Sequence, residues 1–255
     1  MAQARPYYAD KGLSAVFYDV VTAGDAGLEG DLAIYAKLAP AGGSVLELGA
    51  GTGRIALALA ERGLSVTGVE IAPSMLVQAQ AKRAALDPDT ASRVALRRGD
   101  MTALDLKRTF DLVICGYFTL AHVPAGAAWR NTFATAANHL EAGGFAAFHL
   151  PLLEPMRSPR PTSPDLPVID QPLANGRRLQ LYVRERTFRD SICRLDQVIE
   201  YVERGADGQV LRRSPERLTY YLADPEPLAA AAGLVKHQDP IEMGGVGEIW
   251  VFRKG

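Results

Sequence analysis

Between residues 44 and 150 short apolar runs alternate with amphipathic stretches, the rhythm of strands joined by crossover helices in a parallel sheet. The runs predict strands at 44–48, 65–70, 94–98, 110–116 and 145–150. Helical spacing predicts 54–62, stopped by Gly63; 74–86, with Ser74 available as N-cap after Pro73; and 127–140, closing at Gly143 and Gly144. Parallel strands are buried on both faces, so the pattern implies an α/β fold built on a doubly wound, mostly parallel sheet.

Beyond residue 150 the character changes. Seven prolines fall between 151 and 172, which argues against helix and central strand and predicts a linker or rim loop. Three alternating runs follow at 178–188, 192–203 and 210–222, separated by the turn residues Asp190-Ser191 and Gly205-Ala206-Asp207-Gly208. They predict an antiparallel three-stranded meander with Leu179, Leu181 and Val183 on one face and Tyr182, Arg184 and Arg186 on the other. Tyr182, Arg184 and Arg186 read either as solvated surface or as substrate contacts. From Pro225 an Ala-rich helix runs to Ala232 and Gly233, and strands follow at 234–238 and 248–252. The predicted division is a sheet domain of 1–152 and 223–255 with an N-terminal helical cap, interrupted by an insertion at 153–222 that acts as lid or substrate element.

Composition narrows the partners. With 48% hydrophobic and 22% charged residues the 255-residue chain reads as an ordinary soluble protein with one large core. Its net charge of -1 speaks against a dedicated nucleic-acid partner, which would call for a basic stripe. The absence of a signal-like start or a run of ~18 apolar residues predicts a cytoplasmic protein without membrane attachment. Cys115 and Cys193 have neither metal-pair spacing nor a disulfide framework and read as packed thiols. Four scattered histidines without carboxylates at ligand spacing predict no metal site.

The candidate chemistry begins where the first strand runs into Gly49-Ala50-Gly51-Thr52-Gly53. Glycines permit a tight bend and close approach of a ligand to the backbone. The spacing is Gly-x-Gly-x-Gly, whereas a dinucleotide fingerprint calls for Gly-x-Gly-x-x-Gly, and Arg54 occupies the last of those positions. Glu47 sets an acidic group beside the turn, tolerable next to a cation and awkward next to a phosphate. Seventeen residues past Gly53, Glu70 ends the second strand, where a carboxylate can accept both hydroxyl hydrogen bonds of a ribose. Asp100, after the third strand, can accept from an adenine amino group.

ELGAGTG at 47–53, GVEIAPSML at 68–76, RGDM at 98–101 and FDLVICGYFTLAHV at 110–123 together resemble class I S-adenosylmethionine-dependent methyltransferases, in order and in spacing. The resemblance implies a Rossmann-like seven-stranded sheet, here with an antiparallel three-stranded insertion, and S-adenosylmethionine as cofactor. Glu47, Gly49 and Gly51 would then line its methionine and ribose portions, with Ala50, Gly53 and Met75 completing the turn's surroundings. Glu70 would hold the ribose hydroxyls, Ile71 would flank the adenine, Asp100 would take its amino group, Met101 would offer backbone to the ring, and Cys115 would contribute main chain near the sulfonium. Tyr18 is a candidate to fold over the methionine end, and its stripe of Val16, Phe17, Val20 and Val21 reads equally as a packed helix face.

The layout is similar to small-molecule N-methyltransferases of the amino-sugar and glycine types. It departs from them in having Ala121 where glycine precedes the histidine and in its long proline-rich stretch. No Asn-Pro-Pro-aromatic element follows the fourth strand, which favours a small-molecule acceptor over a nucleic-acid base. His122 is the first candidate for general base or acceptor-orienting group, and His149 the second, each with a structural reading beside it. His139 and His237 read as surface residues. Methyl transfer to nitrogen or oxygen of a small molecule is the expected function, in a monomer or homodimer. A noncatalytic cofactor-binding or regulatory protein of the same fold and a nicotinamide-dependent oxidoreductase are the alternatives.

Overall fold

The computed structural model describes residues 4–9, 12–159 and 163–255. The chain divides into two compact units, Ala26–Leu152 with Leu222–Gly255, and Met1–Asp25 with Leu153–Tyr221.

The larger unit holds a sheet in the order Leu234–Lys236, Gly247–Lys254, Leu140–Pro151, Phe110–Cys115, Ser44–Leu48, Ser65–Glu70, Val94–Arg98. Leu140–Pro151 through Val94–Arg98 run parallel, and Gly247–Lys254 is antiparallel to its neighbours. The chain enters at Ser44–Leu48, steps outward twice, then returns to the other side with Phe110–Cys115. That reversal is a topological switch point, where loops leaving two adjacent carboxyl ends diverge and open a crevice.

Alternation along the strands builds the two layers of core. On one face Ile55, Ala56 and Leu59 of the helix Arg54–Glu61 and Tyr35 of the helix Asp31–Leu38 pack with Val45, Leu112, Ile114, Ala147 and Val251. On the other, Phe133 of the helix Ala127–Asn138 lies 4.5 Å from Phe148 and 5.9 Å from Phe252, ring centre to ring centre.

Four details differ from the pattern. The predicted helix to Leu140 stops at Asn138, because His139 closes it with its amide and Nδ1 on the Thr135 carbonyl (3.1 and 2.8 Å). His139 is buried, not superficial, and its Nε2 accepts from the Leu106 amide at 2.9 Å. The strand predicted at 145–150 begins at Leu140, so Gly143 and Gly144 lie inside it, at an irregularity in its pairing with Phe110–Cys115. The short strand Ile241–Met243 also pairs with Gly247–Lys254, making the sheet eight-stranded among the described residues where seven are expected.

The smaller unit carries the meander, in strands Arg178–Arg189, Arg194–Arg204 and Val210–Tyr221. Ile169–Pro172 and Arg5–Pro6 extend it at its two edges, giving five strands where three are expected. Edge positions tolerate proline because an outward amide is not needed for pairing. Leu13 and Phe17 pack with Leu179, Leu181, Val183, Ile199 and Leu218, Tyr7 Oη lies 2.6 Å from Tyr201 Oη, and the Leu13 amide donates to Glu216 at 2.7 Å. These contacts group the N-terminal segment with the meander, whereas the pattern assigns it to the sheet domain.

Tyr18 begins the helix Tyr18–Thr22 of this unit, its ring edge-on to Tyr8 at 5.9 Å. The proline-rich stretch also contains a helix that its composition argues against, Leu153–Arg157, which accommodates Pro155 because first-turn amides have no helical partner. Arg186 donates to the carbonyls of Pro155 and Met156 (3.0 and 2.7 Å). Arg184 stacks over Tyr182 at 4.2 Å, forks onto Glu200 (2.9 and 2.6 Å) and donates to the Pro164 carbonyl at 2.6 Å. Both arginines therefore fasten the proline-rich stretch, of which residues 160–162 lie outside the described residues. Among the described residues no helix is long and apolar enough to cross a membrane.

A Cβ on Gly144 would stand 2.9 Å from the Asp111 carbonyl oxygen and 3.1 Å from that of Glu141. Gly144→Ala should lower unfolding stability by about 1–3 kcal/mol through backbone overpacking. Urea unfolding measures it, and an unchanged midpoint would show that the strand yields there without cost.

Candidate active site

The site is built on the glycine turn. Gly49, Gly51 and Gly53 have φ of +75°, +55° and +86°, a region in which residues bearing a Cβ are strained. A Cβ on Gly49 would also fall 2.2 Å from Thr119 Cγ2, so the two loops that diverge at the switch point touch at this residue. The turn's amides are committed to the neighbouring strand. Gly49 and Ala50 donate to the Val69 carbonyl (2.8 and 2.9 Å), and Gly51 donates to Glu70 Oε2 at 2.8 Å. Glu70 Oε1 accepts from the Ala72 amide at 2.7 Å. Glu70 thus braces the turn as well as ending the strand, and its side chain is more structural than its position in the sequence implies.

Arg54, first residue of the following helix, is forked onto Asp31 at 2.9 and 2.5 Å, and Asp31 is fully buried. Glu47 is 2% exposed, and its Oε2 has no hydrogen-bond partner. Its carboxyl is pushed up to about 8, chiefly by burial with smaller contributions from Glu70 and Asp31, against the opposing influences of Arg54 and the Ala56 amide. The sequence suggests a negative charge beside the turn, but desolvation keeps Glu47 largely protonated at neutral pH.

Beyond the end of the strand, Ile71 is 58% exposed, unusual for isoleucine, immediately after Glu70. Glu70 pairs with Arg98, and the Gly99 amide donates to the Glu70 carbonyl at 3.1 Å, which sets Gly99-Asp100-Met101 beside Ile71. Asp100 is exposed, with Oδ1 accepting from the Thr102 amide and hydroxyl, both at 2.8 Å. Met75 is buried against the turn, its Cε 3.6 Å from where a Cβ on Gly51 would stand.

On the other side of the switch point Cys115 is fully buried, its thiol pushed up to about 12 by desolvation. Tyr117 and Phe118 follow with φ of +38° and +59°. The turn Thr119–His122 then brings His122 to a half-buried position. His149 is fully buried, its carbonyl accepting from the Phe118 amide at 3.0 Å and its ring 4.9 Å from that of Phe118. Tyr18 belongs to the other unit. Cys193 lies half-buried at the tight turn of the meander, outside both cores. Asp31, Tyr117 and Thr119 were not legible as site residues, because each earns its place by a contact distant in sequence.

The model of a family described as a methyltransferase domain matches residues 45–144. The ubiquinone biosynthesis O-methyltransferase of Schizosaccharomyces pombe mitochondria is 35% identical over 74 residues, 29% of this chain and 27% of that protein. The chain thus matches only about a quarter of that relative's length. The CcbJ methyltransferase of Streptomyces caelestis is similar in structure, with 24% identity, 98% of both chains covered and a TM-score of 0.72. So is an amino pentose methyltransferase of Micromonospora echinaspora involved in calicheamicin biosynthesis, with 24% identity, 94% of this chain and 97% of that chain covered, and a TM-score of 0.73.

Glu47 makes stability pH-dependent in a definite direction. Its folded pKa lies above its unfolded value, so its contribution is complete below about pH 4.5 and is lost as pH rises toward about 8. Wild type should lose up to about 1.4 kcal/mol per pH unit relative to Glu47→Gln across that window. Denaturant unfolding of both proteins from pH 4 to 9 measures the difference. A flat difference would mean that folding leaves the Glu47 pKa unchanged.

Proposed function

We propose that this protein transfers the methyl group of S-adenosylmethionine to a nitrogen or oxygen of a small-molecule acceptor. The observation that carries the reading is the commitment of the Gly49, Ala50 and Gly51 amides to Val69 and Glu70. A pyrophosphate is held by turn amides directed at it, and this turn has none of these three to offer. What it offers is the remaining acceptor lone pairs of Glu70, suited to ribose hydroxyls, and beside them the buried, largely protonated carboxyl of Glu47, whose Oε2 has no hydrogen-bond partner.

That donor set fits the cofactor. Glu70 would take the ribose hydroxyls, Ile71 would cover one face of the adenine, and Asp100, oriented by Thr102, would accept from its amino group. Glu47 would lie beneath the methionine portion. When bound, the cofactor supplies an already activated methyl electrophile. The chain's own residues need only align the acceptor lone pair and exclude water. His122 is the residue for this work, placed after the fourth strand at the carboxyl-end rim and half-buried. His149, fully buried and walled in by Phe118, helps to position the loop that carries His122 by accepting from the Phe118 amide.

Two observations support a small acceptor. The similar structures include an amino pentose methyltransferase, and the net charge of -1 provides no excess of positive charge for a polyanion.

Calorimetry should show binding of S-adenosylhomocysteine and none of NAD, with Glu70→Ala weakening it by about 1–3 kcal/mol. Because Glu70 also holds two backbone amides, the same variant should unfold at lower temperature. NAD binding without S-adenosylhomocysteine binding would overturn the cofactor assignment.

His122→Ala should reduce single-turnover methyl transfer more than cofactor affinity. The reduction should be roughly 10²- to 10⁴-fold for an acceptor that must lose a proton, with partial recovery at high pH, and smaller for a neutral amine. Single-turnover rates equal to wild type at every pH would assign His122 to packing alone.

A further inference from the structure

The end of the strand Phe110–Cys115 carries a feature that cofactor binding does not explain. Tyr117 and Phe118 are consecutive residues with φ of +38° and +59°, in a region where a Cβ approaches the backbone and bulky residues are rare. Gly116, just before them, has no room for a side chain, since a Cβ there would lie 2.4 Å from Ile55 Cδ1. Strain of this kind persists only where its surroundings impose it, and it concentrates at functional sites.

The surroundings account for Phe118. Its amide donates to the His149 carbonyl at 3.0 Å, its ring meets that of His149 edge-on at 4.9 Å, and it is buried. Gly247 leaves space for both rings, since a Cβ there would be 2.4 Å from Phe118 Cε1 and 2.8 Å from His149 Nε2. Phe118 is thus locked from three sides.

Tyr117 is held differently. One face of its ring rests on Phe118, with centres 5.3 Å apart and planes 21° from parallel, and its centre is 6.4 Å from that of His149. The residue is half-buried, so part of it remains accessible to solvent. Glycine or asparagine would adopt this backbone at lower cost. Two residues further on, Thr119 touches the Gly49 position, which puts the Tyr117 loop next to the glycine turn.

Resting on the methyltransferase reading above, we propose that Tyr117 is a specificity-determining residue whose ring forms an aromatic wall for a basic amine acceptor. Phe118 and His149 act as its backing. The chemistry suits an amine. As the nitrogen lone pair forms the new N–C bond, the S–C bonding pair returns to sulfur and the positive charge moves from sulfur to nitrogen. A π face attracts that charge and the methylated ammonium product, but has no comparable attraction for a neutral ether. After transfer, the ammonium product gives up a proton to solvent.

The test uses tetramethylammonium as a probe of the full-length protein saturated with S-adenosylhomocysteine, with neutral tert-butanol as the isosteric control. Proton line broadening of the probe's single methyl resonance reports binding without requiring turnover. Wild type and Tyr117→Phe should bind tetramethylammonium in preference to tert-butanol. Tyr117→Asn and Tyr117→Gly, both compatible with the left-handed backbone and therefore expected to fold, should bind it roughly 5- to 30-fold more weakly. Their affinity for S-adenosylhomocysteine by calorimetry should stay within about threefold of wild type.

Equal binding of tetramethylammonium by wild type and Tyr117→Asn, or no preference over tert-butanol in wild type, would overturn the proposal. So would a parallel loss of S-adenosylhomocysteine affinity, which would assign Tyr117 to the cofactor. Failure of wild type to bind S-adenosylhomocysteine at all is a separate outcome that removes the methyltransferase reading itself.

Discussion

The constraint on which the site depends is the bonding of the glycine turn to the strand beside it. Val69 and Glu70 together accept from the Gly49, Ala50 and Gly51 amides, and Glu70 also accepts from Ala72. Each of these amides would otherwise be an orphan donor at the edge of a buried sheet, where an unmade hydrogen bond costs about 1–3 kcal/mol. Satisfying them internally fixes the turn in one conformation and decides its chemistry at the same time. A turn of similar glycine content with outward amides binds anions, and this one presents carboxyl oxygens.

Glu47, just before the turn, lies in a dry environment. With Glu70 and Asp31 nearby, ionising Glu47 would add a third carboxylate to a region where Arg54 is already forked onto Asp31. Protonation is the less costly state, and it also limits like-charge repulsion with Glu70. The fully buried Asp31 anchors Arg54 at the start of the helix that leaves the turn, so the helix Asp31–Leu38 and the helix Arg54–Glu61 are linked at the place where the strand ends.

Across the switch point, packing constrains the loop after Cys115 just as tightly. Thr119 requires Gly49, Ile55 requires Gly116, and the rings of Phe118 and His149 require Gly247. These three glycines come from three parts of the chain, and each is replaced at the expense of a neighbour that helps shape the crevice. The smaller unit is secured by other means, with Arg184 and Arg186 holding the proline-rich stretch through its own carbonyls.

The sequence by itself determined the parallel sheet, the meander, the position of the glycine turn and the candidacy of Glu47, Glu70, Asp100 and His122. Those features depend on local periodicity, on residues that must be glycine or acidic, and on spacing within one βαβ rhythm. It did not reveal the extra edge strands Arg5–Pro6 and Ile169–Pro172, which pair only because distant strands present open edges. Nor did it show that the N-terminal segment groups with the meander, a consequence of the long-range Tyr7–Tyr201 and Leu13–Glu216 bonds. The protonation of Glu47, the bracing role of Glu70, the burial of His149 and the strained presentation of Tyr117 were decided by the tertiary structure alone. Desolvation, unmade hydrogen bonds and close packing are properties of neighbours in space, and several of those neighbours lie tens of residues away along the chain.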